Sequence, residues 1–120
     1  MRIGVPTEIK SGERRVGLTP ESAAELVAHG HEVLIQSGAG DGIGAADDDY
    51  VEGGATIAPD AKTVFGESTM IIKVKEPQAS EIAMLREGQT LFTYLHLAAD
   101  RNLTESLVAT GVTGIAYETV

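Results

Sequence analysis

Cysteine is absent from the 120-residue sequence, cations are scarce and no apolar stretch is long. The first absence excludes a disulfide framework, a thiolate metal site and a cysteine nucleophile, and it suits a reducing cytoplasm. The second leaves nine Lys and Arg against eighteen Asp and Glu, a formal net charge of −9. Such a field repels phosphate backbones and anionic membrane surfaces, so nucleic acid is not an expected partner. The third excludes a membrane span, because apolar runs here reach strand length and stop well short of the roughly 20 residues a spanning helix needs. The opening MRIGVPTEIK also turns polar within a few positions, which leaves no signal-peptide core. A soluble, cytoplasmic protein is the expectation.

What is present is enough hydrophobic residue, 42%, for one compact domain with a core, and too short a chain for two. Short apolar runs alternate with stretches of helical spacing, the pattern of an α/β fold with a parallel sheet and crossover helices. Residues 2–6 read as the first strand. Thr19-Pro20-Glu21 reads as an N-cap, a first-turn proline and a first-turn acid. Leu18, Ala23, Leu26 and Val27 then lie on one apolar stripe, and Gly30 marks the helix end. Residues 32–35 read as the second strand. The stretch SGAGDGIGAADDDY, rich in Gly and Asp, reads as a long exposed loop. A short helix at 48–52, a strand at 55–57 and a helix at 60–66 follow. Later strands are expected at 70–75, 89–95 and 112–117, with helices near 79–86 and 103–110.

Ligands in open α/β sheets bind beyond the carboxyl ends of the strands, so polar residues at strand exits are the candidates for a site. Arg14 and Arg15 follow the first strand, Lys75 closes MIIKVK, His96 follows QTLFTYL and Glu118 follows VTGIAY. If these strands are parallel neighbours, the groups converge. Their cations suit a small carboxylate, and a histidine suits proton transfer near neutrality. Each has a plainer alternative. Strand-end lysines are usually solvated, and Lys73 shows a second lysine on the same strand with no evident role. His96, inside YLHLA, equally fits a hydrogen-bonded core histidine. His29 and His31 flank the glycine ending the first helix, where a cation favours the helix terminus. Glu118 could be an ordinary strand-end acid.

Gly40, Gly42 and Ala45 spell a GxGxxA spacing after a predicted strand, with Asp60 downstream near the distance of a ribose-binding acid. A dinucleotide reading is rejected because Asp41 and the run Asp47, Asp48, Asp49 put negative charge where a pyrophosphate would sit. No long helix is expected from Gly42 either, and a flexible surface loop is the preferred reading. The aspartates also lack the spacing of a calcium-binding EF-hand loop, and no other metal site is expected.

Beyond these physical readings, MRIGVPTEIKSGERRVGLTPESAAELVAHGHEVLIQSGAG resembles the opening of alanine dehydrogenases. SGAGDGIGAADDDYVEGGATI, IIKVKEP, LREGQTLFTYLHLAAD and GVTGIAYETV look like successive later blocks, so the resemblance covers practically the whole chain. It implies a Rossmann-like (flavodoxin-like) substrate-binding domain, of which residues 1–120 are a part, completed by chain returning from the C-terminus. The NAD-binding domain would lie outside these residues. It implies that Arg15 and Lys75 hold the carboxylate and carbonyl oxygens of pyruvate or L-alanine. His96 would be the general acid or base, with Tyr94 and Glu118 in support. The family's homohexamer is implied as well, and an apolar surface where the returning chain should pack is expected.

Two related groups resemble the chain less. The alpha subunits of nicotinamide nucleotide transhydrogenases share the RIGVP block and the SGAG loop but do not, as a rule, keep the lysine and histidine at 75 and 96. Lysine-forming saccharopine dehydrogenases keep that pair but match the remaining blocks less closely. A non-catalytic binding remnant is the further alternative. It and the dehydrogenase part both predict pyruvate binding and separate on turnover.

Overall fold

A computed structural model describes residues 1–93, 111 and 113–116. Six parallel strands run in the order β3-β2-β1-β4-β5-β6: β1 Arg2–Val5, β2 Glu32–Gln36, β3 Thr56–Ala58, β4 Met70–Ile72, β5 Thr90–Thr93 and β6 Thr113–Ala116. Every pairing is parallel. Without the three-residue β3 at the edge the order is flavodoxin-like; with it, the sheet has the doubly wound order of dinucleotide-binding folds. The chain leaves β1 on one side for β2 and returns to β1's other side as β4, so the switch point lies between the exits of β1 and β4.

Alternation along the strands sorts the core into two layers. Ile3, Val5, Val33, Ile35 and Ile72 face one side, where helix α1 (Pro20–Ala28) buries Ala23 and helix α2 (Asp47–Glu52) buries Tyr50. Leu34, Ile71 and Leu91 face the other, against Val64 and Phe65 of helix α3 (Ala61–Glu67), Ile82 of helix α4 (Ala79–Ile82) and Leu85. Helix α1 begins as its sequence dictates: the Thr19 hydroxyl accepts from Ser22 N–H, proline takes the first helical position, and Gly30 leaves the helix at φ +93°.

Three expectations change. The run at 70–75 is strand only to Ile72, because the Glu8 carboxylate takes the N–H groups of Val74 and Lys75 that a longer strand would give to a neighbour. The helix expected at 79–86 closes after one turn. Met84 and Leu85 donate three residues back, and Arg86 N–H goes to the Gln89 side chain. The glycine-rich stretch is not simply an exposed loop. It contains a 3₁₀ turn at Asp41–Ile43, and it buries Ala39, Gly40 and Ala45. The helix expected at 103–110 lies outside the described residues.

Candidate functional site

At the switch point two loops close on each other, one following β1 (residues 6–18) and one following β4 (residues 73–78). Lys10 and Glu76 form an ion pair across them. Beside them, between the loop after β1 and the glycine-rich stretch after β2, opens a crevice of about 270 Å³ lined by Thr7, Glu8, Glu13, Arg15, Gly38 and Asp41 among others. That is a space for a ligand of few atoms. A larger hollow of about 680 Å³ between α1 and α2 is lined by Glu21, Asp49 and Glu52. It lies away from the strand exits and presents an acidic wall unsuited to an anion.

Arg15 stands at the crevice on the loop after β1. Its Nε and Nη2 donate to the two oxygens of Glu13 at 3.0 and 2.9 Å, and its backbone N–H donates to the same carboxylate at 2.7 Å. Glu13 is thereby held at a pKa of about 2, chiefly by the Arg15 side-chain hydrogen bond, with the Lys75 ammonium adding its field. Lys75, although 60 residues distant in sequence, thus acts on the same carboxylate as Arg15. The geometry of a forked cation on a carboxylate is already realised with a group of the protein itself.

The glycine-rich stretch supports the arginine loop. A Cβ on Gly42 would come within 2.0 Å of the Arg14 carbonyl oxygen, and one on Gly40 within 2.6 Å of the Ala45 carbonyl. Gly42 therefore lets the stretch lie directly on the arginine loop, and Gly40 lets the stretch fold back on itself. Asp60 is the N-cap of α3, its Oδ1 accepting from Thr63 N–H at 2.8 Å. The residues of the GxGxxA pattern are used in packing and capping, and its acids Asp41 and Asp47 line or flank the loop. These residues do not fit a pyrophosphate.

Of the sequence candidates, Arg14 and Arg15 line the crevice and Lys75 reaches it only through its field on Glu13; Tyr94, His96 and Glu118 lie outside the described residues. Reasoning from the sequence missed Glu13, Glu8 and Thr93. It also passed over Lys73, whose buried ammonium stands 2.8 Å from Glu8 and 3.3 Å from Glu81 and so joins two carboxylates from different elements. The signal for Glu8 was available, since it is an acid at the exit of the first strand and two lysines follow a neighbouring one. Among the described residues no cluster of His, Asp or Glu is arranged to hold a metal ion, and no helix is long and apolar enough to cross a membrane.

Fold and crevice together define an open doubly wound α/β domain with a small polar crevice, lined by Arg14 and Arg15 as well as Glu8, Glu13 and Asp41, beside its switch point. The chain belongs to the family described as alanine dehydrogenase/PNT, N-terminal domain, which it matches over residues 4–120. It is 52% identical to the alanine dehydrogenases of Halomonas elongata and Mycobacterium tuberculosis strain H37Rv across its whole length, which is 32% of theirs. The solved structure of an L-alanine dehydrogenase superposes on 98% of the chain with a TM-score of 0.96 at 53% identity, again covering 32% of that protein. A transhydrogenase from Sinorhizobium meliloti shares the fold, with a TM-score of 0.92, at 26% identity over 98% of this chain and 35% of its own. The chain therefore spans about a third of the relatives it matches, and its likeness to the dehydrogenases is the nearer of the two.

Proposed function

We propose that this chain is the N-terminal, substrate-binding part of an NAD-dependent L-alanine dehydrogenase, which converts L-alanine, NAD and water to pyruvate, ammonia and NADH. The observation that carries the reading is Glu13, a carboxylate held by the Arg15 fork and within the field of Lys75. Arg15 would grip the substrate carboxylate, and Lys75 would neutralise it and polarise the adjacent carbonyl. His96 would move the proton as the amino-alcohol forms and breaks down, with Tyr94 and Glu118 in support. NAD would be bound by a domain outside this chain, since the glycine-rich stretch here is closed by packing; hydride transfer belongs to that part. A cytoplasmic homohexamer, its substrate domain completed by returning C-terminal chain, belongs to the same reading.

The test is a chimera in which residues 1–120 replace the first third of the M. tuberculosis alanine dehydrogenase. The expected result is pyruvate reduction by NADH and ammonium. Lys75→Ala should abolish saturation by pyruvate, and His96→Ala should lower kcat by about 10²–10⁴-fold. A folded chimera that binds NADH and pyruvate yet turns nothing over would overturn the dehydrogenase reading in favour of a binding remnant.

A further inference from the structure

The main chain of Lys75 is held on both sides by side chains from other elements. On its amide side Glu8, at the exit of β1, accepts from Lys75 N–H through Oε1 at 3.2 Å and from Val74 N–H through Oε2 at 3.0 Å. On its carbonyl side the Thr93 hydroxyl, at the end of β5, donates to the Lys75 oxygen at 2.7 Å. Thr93 is fully buried. Glu8 is itself anchored: Lys73 Nζ donates to its Oε1 at 2.8 Å, and Glu81 of α4 lies 3.3 Å from the same ammonium. The side chains of Glu8, Lys73 and Glu81 are only 1–2% exposed.

Burying such ions is costly, and a well-packed apolar cluster would serve cohesion at least as well. What apolar groups cannot do is accept two consecutive N–H groups at the point where the strand ends, or hold the next carbonyl from the opposite side. Two side chains, one from the loop after β1 and one from the end of β5, converge on the main chain of one residue, and that residue carries the cation of the candidate site.

We propose that Glu8 and Thr93 are positioning residues for Lys75: the buried Glu8–Lys73–Glu81 cluster and the Thr93 hydroxyl clamp its peptide, and so fix where its ammonium meets the small acid. This rests on the reading of Lys75 given above. The clamp does not touch the ligand and acts only through Lys75. Its loss therefore falls on the binding of the acid, and the nicotinamide partner is unaffected.

The same chimera tests it, assayed for pyruvate and NADH separately. Thr93→Val keeps shape and removes the hydroxyl, and it should raise the KM for pyruvate by about tenfold, a displacement effect, with the KM for NADH unchanged. Thr93→Ser should restore it. Glu8→Gln should move the pyruvate KM in the same direction and decides the matter if the valine variant does not fold. A parent-like pyruvate KM in Thr93→Val and Glu8→Gln, with pyruvate saturation lost in Lys75→Ala, would overturn the clamp and leave the role of Lys75 standing. Equal losses for both substrates together with a lowered melting temperature would show a purely structural role and overturn it too. A parent-like Lys75→Ala would remove the reading of Lys75 and the clamp with it.

Discussion

Two charged clusters sit within one loop of each other at the strand exits, and they use the same ingredients to opposite ends. Lys73 is closed in with Glu8 and Glu81, and all three side chains are essentially out of water. Arg15 is paired with Glu13 while its side chain stays 60% exposed. In the closed cluster two carboxylates share one ammonium, and burial pushes the Glu81 pKa up despite the Lys73 charge. In the open one the Arg15 fork drives Glu13 down to about 2. Burial therefore turns an ion cluster into scaffold, and exposure of the cation leaves it able to meet a ligand.

Lys73 and Lys75 make this contrast sharpest, since they are two residues apart. Lys73→Met leaves Glu8 and Glu81 facing each other in the interior without a cation, and should cost about 3–5 kcal/mol in urea unfolding. Lys75→Met, at a half-buried position, should change stability by no more than about 0.5 kcal/mol while removing pyruvate binding. Equal stability losses for the two would erase the distinction between scaffold and site.

A smaller effect is expected where the glycine-rich stretch carries the open cluster. Gly42→Ala drives a methyl group against the Arg14 carbonyl oxygen, which is backbone and cannot swing aside. Relieving that overlap should cost about 1–3 kcal/mol by thermal unfolding and, by moving the arginine loop, weaken pyruvate binding more than Gly44→Ala does. At Gly44 an added Cβ would meet nothing within 4 Å, although its φ of +75° carries the ordinary strain of the left-handed region. Identical pyruvate affinity in the two variants would separate the glycine stretch from the site.

Most elements were legible in the sequence because their causes are local. Thr19-Pro20 starts α1, Gly30 ends it, and apolar runs of strand length mark the sheet. The positions of Arg15 and Lys75 were legible for a topological reason: a parallel sheet places every strand exit on one edge. What escaped depends on partners far apart in sequence. Nothing near Lys73 announces that Glu8, 65 residues earlier, will meet it, and so the strand-like run at 70–75 extends three residues past the strand itself. Gly42 stands out in the sequence through a spacing that suggests a phosphate loop. The actual demand on it, from the Arg14 carbonyl, is a contact between two loops.

The least conspicuous difference between the clusters is the sign of their pH dependence, and it is also the most discriminating. Glu13 has a folded pKa of about 2 against an ordinary 4.5, because its charged form is hydrogen-bonded by Arg15. It therefore contributes stability above pH 4.5 that is lost as pH falls from there towards 2. Glu81 moves the other way. Its folded pKa lies above the ordinary 4.5 because burial disfavours the carboxylate, so its contribution is complete below pH 4.5 and is lost as pH rises through the folded value. In urea unfolding followed across pH, Glu13→Gln should flatten the acid limb between about pH 4.5 and 2, and Glu81→Gln should flatten the limb above about 4.5, each leaving the other limb in place. If Glu13→Gln left the acid limb unchanged, Arg15 would not be holding that carboxylate in solution, and the open cluster would lose the feature that marks it as a site for an acid.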